Sequence, residues 1–591
     1  MASSYQNLKT NLSNASFKDF LFPIFLSLVV TFFLIINFDT PKEMISNSLI
    51  SLTVFFVPLG IVLSLWFLFL SDRKQQSSIT LAHLSLTPIL ILLLLIPYSF
   101  FNTQLKGLET LSCVIIVCIG GLILNKILTN SLPKIMTASV SLSILLILYL
   151  VYFSFISVFR HLNYQNTSPF DVALYSQIQW NNIHGHFFQS SISGSNFVTH
   201  NSPFLALLSP FYALYPHPET LLVLKTLFLT LSAVPFYLIS KHFVHEKALL
   251  PLTMGYMFFP FTVGQNINAP HETCFLPPLL LFSYYFFLKG RFKSFLIFLL
   301  LSLSIKEHLA FISIMYGLYA LYLKKEKRWI ITPILLGICW AVFSIWIINH
   351  FQKIYHTDPL PAWLVENIKN RFLRAHHASF SNFLWGLKTS NLGHWFNLSF
   401  IYFLISPLAI FFPFISPVFL LGLPELIIDL LADLPLTYPT WHYSMAISCF
   451  LLVGCVQTIK KLSIHPALRK LNLSAEKIQE FLAWFLCICI LSHFFLWWEY
   501  TNLEKRPRYV QIMNTAIELV PKKSTVSLSK HLVAYVSDRK DYFICEDDRK
   551  GEYIVLDQDE QINNCLKDPR QVQFYTQIYS NEGIKVYKKT L

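Results

Sequence analysis

KIMTASVSLSILLILYLVYFSFISVFRHLNYQNTSPFDVALYSQIQWNNIHGHFFQSSISGSNFVTHNSP, residues 134–203, changes character just after Phe159. Its first part, 134–158, is apolar and long enough to cross a bilayer as a helix, which takes about 20 residues. From Arg160 to Pro203 it becomes polar, aromatic and rich in histidine, and apolar sequence resumes beyond. A chain built this way holds the polar segment at a membrane surface.

The whole chain of 591 residues follows the same logic, with 54% hydrophobic and only 13% charged residues. Soluble proteins carry about 25% charged residues, so a soluble globule is excluded. In lipid every backbone polar group needs an internal partner, which leaves helices or closed barrels. Barrel strands alternate in hydrophobicity, and these runs do not. Apolar runs recur at 20–38, 48–70, 80–101, 108–127, 134–158, 218–239, 248–264, 273–288, 294–323, 329–349, 398–431, 442–459 and 479–497. Lys306-Glu307-His308 interrupts 294–323, and Pro407, Pro413 and Pro417 interrupt 398–431, so each reads as two shorter helices. The fold expected is an all-α polytopic transmembrane bundle. Leu21–Phe38 lacks a small-residue cleavage site and reads as an uncleaved first span.

Lysine and arginine in short loops set orientation. The basic connectors are Ser71–Lys74, Lys241–Lys247, Lys289–Lys293, Lys324–Arg328 and Lys460–Lys470. Cytoplasmic placement of these puts Arg160–Pro203, Gln265–Cys274, Lys306–His308, His350–Asn397 and Asp433–His442 outside, with the tail after Trp498. The net charge of +13 is spread over connectors and does not indicate nucleic acid. Membrane lipids with anionic headgroups are sufficient partners. The tail, 498–591, is charged, with β-like runs at Thr525–Ser527, Val533–Val536, Tyr553–Leu556 and Ile584–Tyr587 and a helical stretch at Val510–Leu519. It reads as a small soluble α/β domain. Cys545 and Cys565 would pair in an oxidising compartment, although spacing alone does not bring them together. The other eight cysteines lie in or beside apolar runs and read as small core residues.

Several polar residues carry two readings each. Asp171 is either a general base at the bilayer surface or an N-cap for the run Val172–Trp180. Arg160 and His161 either hold a lipid-linked phosphate or anchor a helix end by snorkelling. Gln177, Trp180, Asn181, His184 and His200 share the polar segment and can bind a sugar or phosphate. His184, His186 and His200 match no standard structural zinc spacing; a divalent cation is therefore not indicated, no metal ligands are assigned, and the cofactor stays undetermined. His271-Glu272 and Lys306-Glu307 end apolar runs on the same side as Asp171, where ionisable groups are costly and mark function; mutual salt bridging that closes the outer face is the plain alternative. Glu425 and Asp429, four apart, share one helical face, and Lys225 is a candidate partner for one of them. Trp441, His442 and Tyr443 open a span as belt aromatics or as a platform for a sugar ring.

The blocks FDVALYSQIQWNNIHGHFF, HNSPFLALLSPFYALYPHPETLLVLKTLFLTLSAVPFYLI, SIKEHLAF and LPELIIDLL…HYS resemble the polytopic membrane proteins grouped as domain of unknown function 2079. The resemblance covers roughly residues 150–590, leaving 1–130 as extra N-terminal helices before a core at 131–497 with its outer loop at 159–203. His308 stands where that family leads one to expect an acid. The family in turn resembles the GT-C superfamily of integral membrane glycosyltransferases. That likeness implies a sugar donor linked to polyprenyl phosphate, a glycan, lipid or protein acceptor, and a bacterial inner (cytoplasmic) membrane location with the C-terminal domain extracytoplasmic. It also implies Asp171 as the catalytic acid of the outer loop, with Arg160, Lys306 or His271 neutralising the leaving phosphate. A transporter or flippase of lipid-linked precursors, and a non-catalytic envelope assembly factor, are the rival readings.

Overall fold

The computed structural model describes residues 138–355, 398–409, 411–431, 444–469, 473–494, 503, 505–557, 562–566 and 568–590. The spans expected in 1–130 and the loop 356–397 lie outside them. Within them the chain is mostly helical: α1 (Ala138–Leu162), α2 (Pro169–Ile183), α3 (Leu205–Tyr212), α4 (Pro218–Leu231), α5 (Ala233–Phe243), α6 (Glu246–Met257), α7 (Pro260–Ile267), α8 (Leu276–Leu288), α9 (Phe292–Leu303), α10 (Leu309–Tyr322), α11 (Lys327–Ile354), α12 (Leu398–Ile405), α13 (Leu423–Leu431), α14 (Met445–Ser463), α15 (Ala475–Phe494) and α16 (Pro507–Glu518). Among the described residues, Ser141–Leu162, Pro218–Phe243, Lys327–Ile354 and Met445–Ser463 are long and apolar enough to cross a membrane. The interrupted run 294–323 is two helices, α9 and α10, and 398–431 is broken by 3-10 turns between α12 and α13.

Residue chemistry explains the layering. Ile147, Leu148, Val151 and Phe155 project from α1, and Val342 and Trp346 from α11, all more than half exposed. Such a surface suits lipid and not water. By contrast α14 is buried along most of its length, from Met445 through Val456. Small residues let neighbours approach closely: a Cβ on Gly317 of α10 would stand 2.5 Å from the Ile330 carbonyl, and one on Gly337 of α11 2.5 Å from that of Ala310. Proline opens α2, α4, α7 and α16, a first-turn position where its missing N–H costs nothing.

The tail forms a five-stranded sheet in the order β4-β3-β5-β7-β6, taking β1 (Gln189–Ser190) and β2 (Gly194–Ser195) as the small antiparallel hairpin of the polar segment 160–203. Its strands are β3 (Val526–Leu528), β4 (Tyr542–Ile544), β5 (Tyr553–Leu556), β6 (Tyr575–Asn581) and β7 (Ile584–Lys589). The pairs β3–β4 and β3–β5 are parallel, while β5–β7 and β6–β7 are antiparallel. One expectation is corrected: Val533–Tyr535 is a 3-10 turn and not a strand, because Val533 and Ala534 are buried against neighbours on both sides instead of pairing. Cys545 and Cys565 form a disulfide. Cys339 is exposed on α11 and departs from the core reading.

The tail docks on the polar segment 160–203. The Gln177 amide donates to the Lys540 carbonyl at 2.7 Å, the Tyr542 amide to Ser191 Oγ at 3.1 Å, and the Tyr164 hydroxyl to Asn514 Oδ1 at 2.8 Å. Ala173 of α2 belongs to the same apolar cluster as Met513, Val526 and Val586. On the other side, Lys225 is wholly buried and donates to the carbonyls of Asn266 and Asn268. The expectation that Lys225 answers Glu425 or Asp429 is thereby corrected: it ties down the loop after α7.

Gly337→Leu should drive a side chain into the α10 backbone; overpacking of this kind costs roughly 1–3 kcal/mol. Thermal unfolding in detergent should show a lowered midpoint against the parent chain.

Candidate functional site

Two helix-to-helix connections meet beneath α2. One is the loop after α7, carrying His271 and Glu272; the other, between α9 and α10, carries Lys306, Glu307 and His308. Glu272 is fully buried and sits at the centre. Lys306 Nζ lies 2.9 Å from its Oε1, His271 Nδ1 lies 2.9 Å from Oε2, and the Tyr175 hydroxyl donates to Oε2. Burying such a pair is favourable only where hydrogen bonds complete it, and here a tyrosine and an imidazole do so. Burial, with Lys306 adding to it, pushes the His271 imidazole down to about 4 against the pull of Glu272. The ring is therefore neutral near pH 7, and Nδ1–H donates to the carboxylate.

Glu307 forms the second half. His200 Nδ1 is 3.0 Å from Oε1, and the Asn201 amide donates to Oε2 at 3.1 Å. Burial alone would raise this carboxyl; His200, Lys306 and His308 outweigh it and hold it at about 2. His308 turns the other way, with Nε2 3.7 Å from Glu425 Oε1. Glu425 also accepts the Ile447 amide at 2.7 Å, and Asp429 accepts from Ser444 Oγ at 3.2 Å. Both acids are buried on one face of α13.

Asp171 lies in the first turn of α2, above this network. It is not the N-cap: Ser168 holds that position, and the Ser168 hydroxyl donates to Asp171 Oδ2 at 2.6 Å. That removes the capping alternative for the acid itself. A helix N-terminus favours a carboxylate, yet burial prevails and raises the Asp171 carboxyl above its ordinary range. Ser168 opposes the rise, Glu272 adds to it, and Lys306 and Lys530 counter it. Lys530, from the tail, sits 5.6 Å from the centre of the Phe170 ring. A half-buried carboxyl with raised proton affinity beside two ammonium groups can take up a proton and stand next to an anion.

The other expected residues divide by position. Trp180, Asn181 and His184 lie nine to thirteen positions beyond Asp171, at least about 14 Å along α2 at 1.5 Å per residue. Trp180 and His184 stack at 3.8 Å, and Asn181 donates to the Gln189 carbonyl at 3.0 Å. Gln177 is buried with its amide committed to Ser191 and Lys540. Arg160 Nε donates to the Gln165 carbonyl at 3.2 Å, and His161 stacks on Tyr535 at 4.8 Å. His442 and Tyr443 lie outside the described residues. Of the residues expected, Asp171, His200, His271, Glu272, Lys306 and Glu307 are brought together. Tyr175 and Lys530 were not anticipated. Tyr175 falls four positions after Asp171, on the same helical face, and could have been found; Lys530 arrives only through docking of the tail. Among the described residues no group of three or more His, Cys, Asp or Glu is placed to hold a metal ion.

Apolar helices with a polar, ionisable network gathered at their connections define a helical membrane protein. The chain belongs to the family described as predicted membrane protein (DUF2079), which matches residues 160–585. No protein of curated function matches it. Among solved structures, ArnT from Cupriavidus metallidurans bound to undecaprenyl phosphate overlays with a TM-score of 0.43 and 9% identity, covering 75% of this chain and 97% of that one. ArnT in the apo state gives 0.42 and 9%, covering 76% and 98%.

Lys306→Met should strand Glu272 as a buried, uncompensated charge and cost about 3–5 kcal/mol. Adding Glu272→Gln should recover part of that loss, read as a partial return of the thermal unfolding midpoint.

Proposed function

We propose that the chain is a GT-C-type glycosyltransferase of a bacterial inner membrane, with residues 131–497 as its core and 498–591 as an extracytoplasmic α/β domain. It moves a sugar from a polyprenyl-phosphate donor to a hydroxyl of a glycan, lipid or protein acceptor at the outer face. The observation that carries this reading is Asp171: a half-buried carboxyl of raised proton affinity, facing the Lys306–Glu272 pair under the docked tail. The sequence resemblance supplies the reaction class.

In this reading Asp171 takes the proton of the acceptor hydroxyl as its oxygen bonds to the anomeric carbon. The bond from that carbon to the donor phosphate oxygen breaks, and the phosphate leaves with the electron pair. Lys306 and Lys530 stabilise that growing negative charge, where fixed cations act most strongly. Glu272, Glu307 and His271 hold Lys306 and its neighbours in place. Among the described residues, the basic connectors Lys241–Lys247, Lys289–Lys293 and Lys324–Arg328 lie at the opposite helix ends, which supports the outward orientation of the site.

Asp171→Asn should lower transfer of labelled sugar from polyprenyl phosphate in proteoliposomes by about 10²–10⁴-fold, the usual weight of a general base, without changing the unfolding midpoint. Full activity in a folded variant removes Asp171 from the mechanism. Movement of lipid across the bilayer without turnover favours the transport reading, for which the buried Glu425 and Asp429 are the supporting feature; neither activity favours an assembly factor. A base must be deprotonated to act, and burial raises the pKa of this one. The acidic limb of the pH–rate profile should therefore lie above the ordinary carboxylate range and move on Lys530→Met, which removes a countering charge.

A further inference from the structure

A cavity of about 240 Å³ lies between the outer end of α1, the start of α4 and the tail. Ala534 of the Val533–Tyr535 turn lines the cavity and also packs against Val172, the residue after Asp171; Asp171 itself is not among the lining residues. Its walls carry His161, His217, Tyr535 and three carboxylates, Glu219, Glu518 and Asp538. Lys522 pairs with Asp538 at 2.8 Å from the exposed side. Among the described residues no lysine or arginine stands within ion-pair distance of Glu219 or Glu518.

Two buried groups in this wall await a partner. His161 is only 3% exposed. Its Nδ1 accepts from the Asn166 amide at 2.9 Å, which leaves the proton on Nε2. That nitrogen stands 4.0 Å from Glu219 Oε1, beyond hydrogen-bond reach. Glu219 Oε2 is buried with no hydrogen-bond partner among the described residues. A donor and an acceptor thus face one another across a gap, within a cavity whose charge is net negative. Unsatisfied buried groups are costly, and a molecule that accepts from His161 while donating to Glu219 would relieve both.

We infer that this cavity binds a small hydroxylated molecule bearing a protonated amine. A hydroxyl bridges His161 Nε2 and Glu219, and the ammonium is held by Glu219 and Glu518. The volume equals that of about eight waters at about 30 Å³ each, enough for one sugar-sized group. The carboxylates repel phosphate, so His161 belongs to this site and not to donor binding. The inference stands apart from the transferase reading and does not depend on turnover.

Isothermal titration calorimetry on the full chain in detergent micelles, with glucosamine, glucose and N-acetylglucosamine as probes, tests it. Glucosamine should bind about tenfold or more tightly than either neutral sugar, and Glu219→Gln should weaken it by about tenfold or more. Glu518→Gln, on the exposed rim, should weaken it in the same direction and serves if Glu219→Gln fails to fold. Equal binding of glucose removes the charge recognition. Binding indifferent to both substitutions places the ligand elsewhere, and absence of glucosamine binding by a folded chain overturns the site.

Discussion

A single buried ion pair, Lys306 with Glu272, joins two connections that would otherwise end independently. Its partners come from loops 34 residues apart in the chain, and each loop is the meeting point of two apolar helices. Breaking the pair would leave a full charge in a water-poor setting. The ends of α7, α8, α9 and α10 that meet at these connections are therefore held in one arrangement. Burial is what chiefly raises the Asp171 carboxyl, with Ser168 opposing it; Glu272 and Lys306 of the pair act on it in opposite directions.

Around that pair the bundle arranges successive layers of support. Lys225 fixes the carbonyls before His271, and His200 and Asn201 hold Glu307 from the polar segment 160–203. Above them the tail closes on α2 through Gln177, Ser191 and Tyr164. A charged site so enclosed keeps its groups strongly coupled, because effective dielectric screening is weaker than at an open surface.

Much of this was legible from residue types, and the limits are physical. Helix positions followed from apolar length, and the charged triplet at 306–308 correctly split one long run into α9 and α10. Glu272 and Lys306 stood out because ionisable groups at the ends of apolar runs need a reason. Their pairing did not, since it depends on how four helices pack. Lys225 meets other partners than Glu425 or Asp429 for the same cause: it stands among apolar neighbours in the middle of α4, and only tertiary packing chooses which polar groups meet its tip. In the tail, Val533–Tyr535 has strand-forming residues but is claimed by packing from both sides, which overrides a weak local preference. Strand β6 was missed because its pattern YTQIYSN is largely exposed and pairs on one edge alone.

Helix α14 is mostly apolar and buried from Met445 to Val456, and such a surface by itself does not specify which side faces which neighbour. Polar ties supply that information, and two of them stand far apart along the helix. The Ile447 amide meets Glu425 at 2.7 Å near one end, and the Gln457 amide meets the Tyr284 hydroxyl at 2.7 Å ten residues on. Separated by about 15 Å of helix, they act like two pins through a smooth rod, setting both its height and its rotation. Depth and rotation of this buried helix are thus fixed by side-chain chemistry near its two ends and not by its apolar middle.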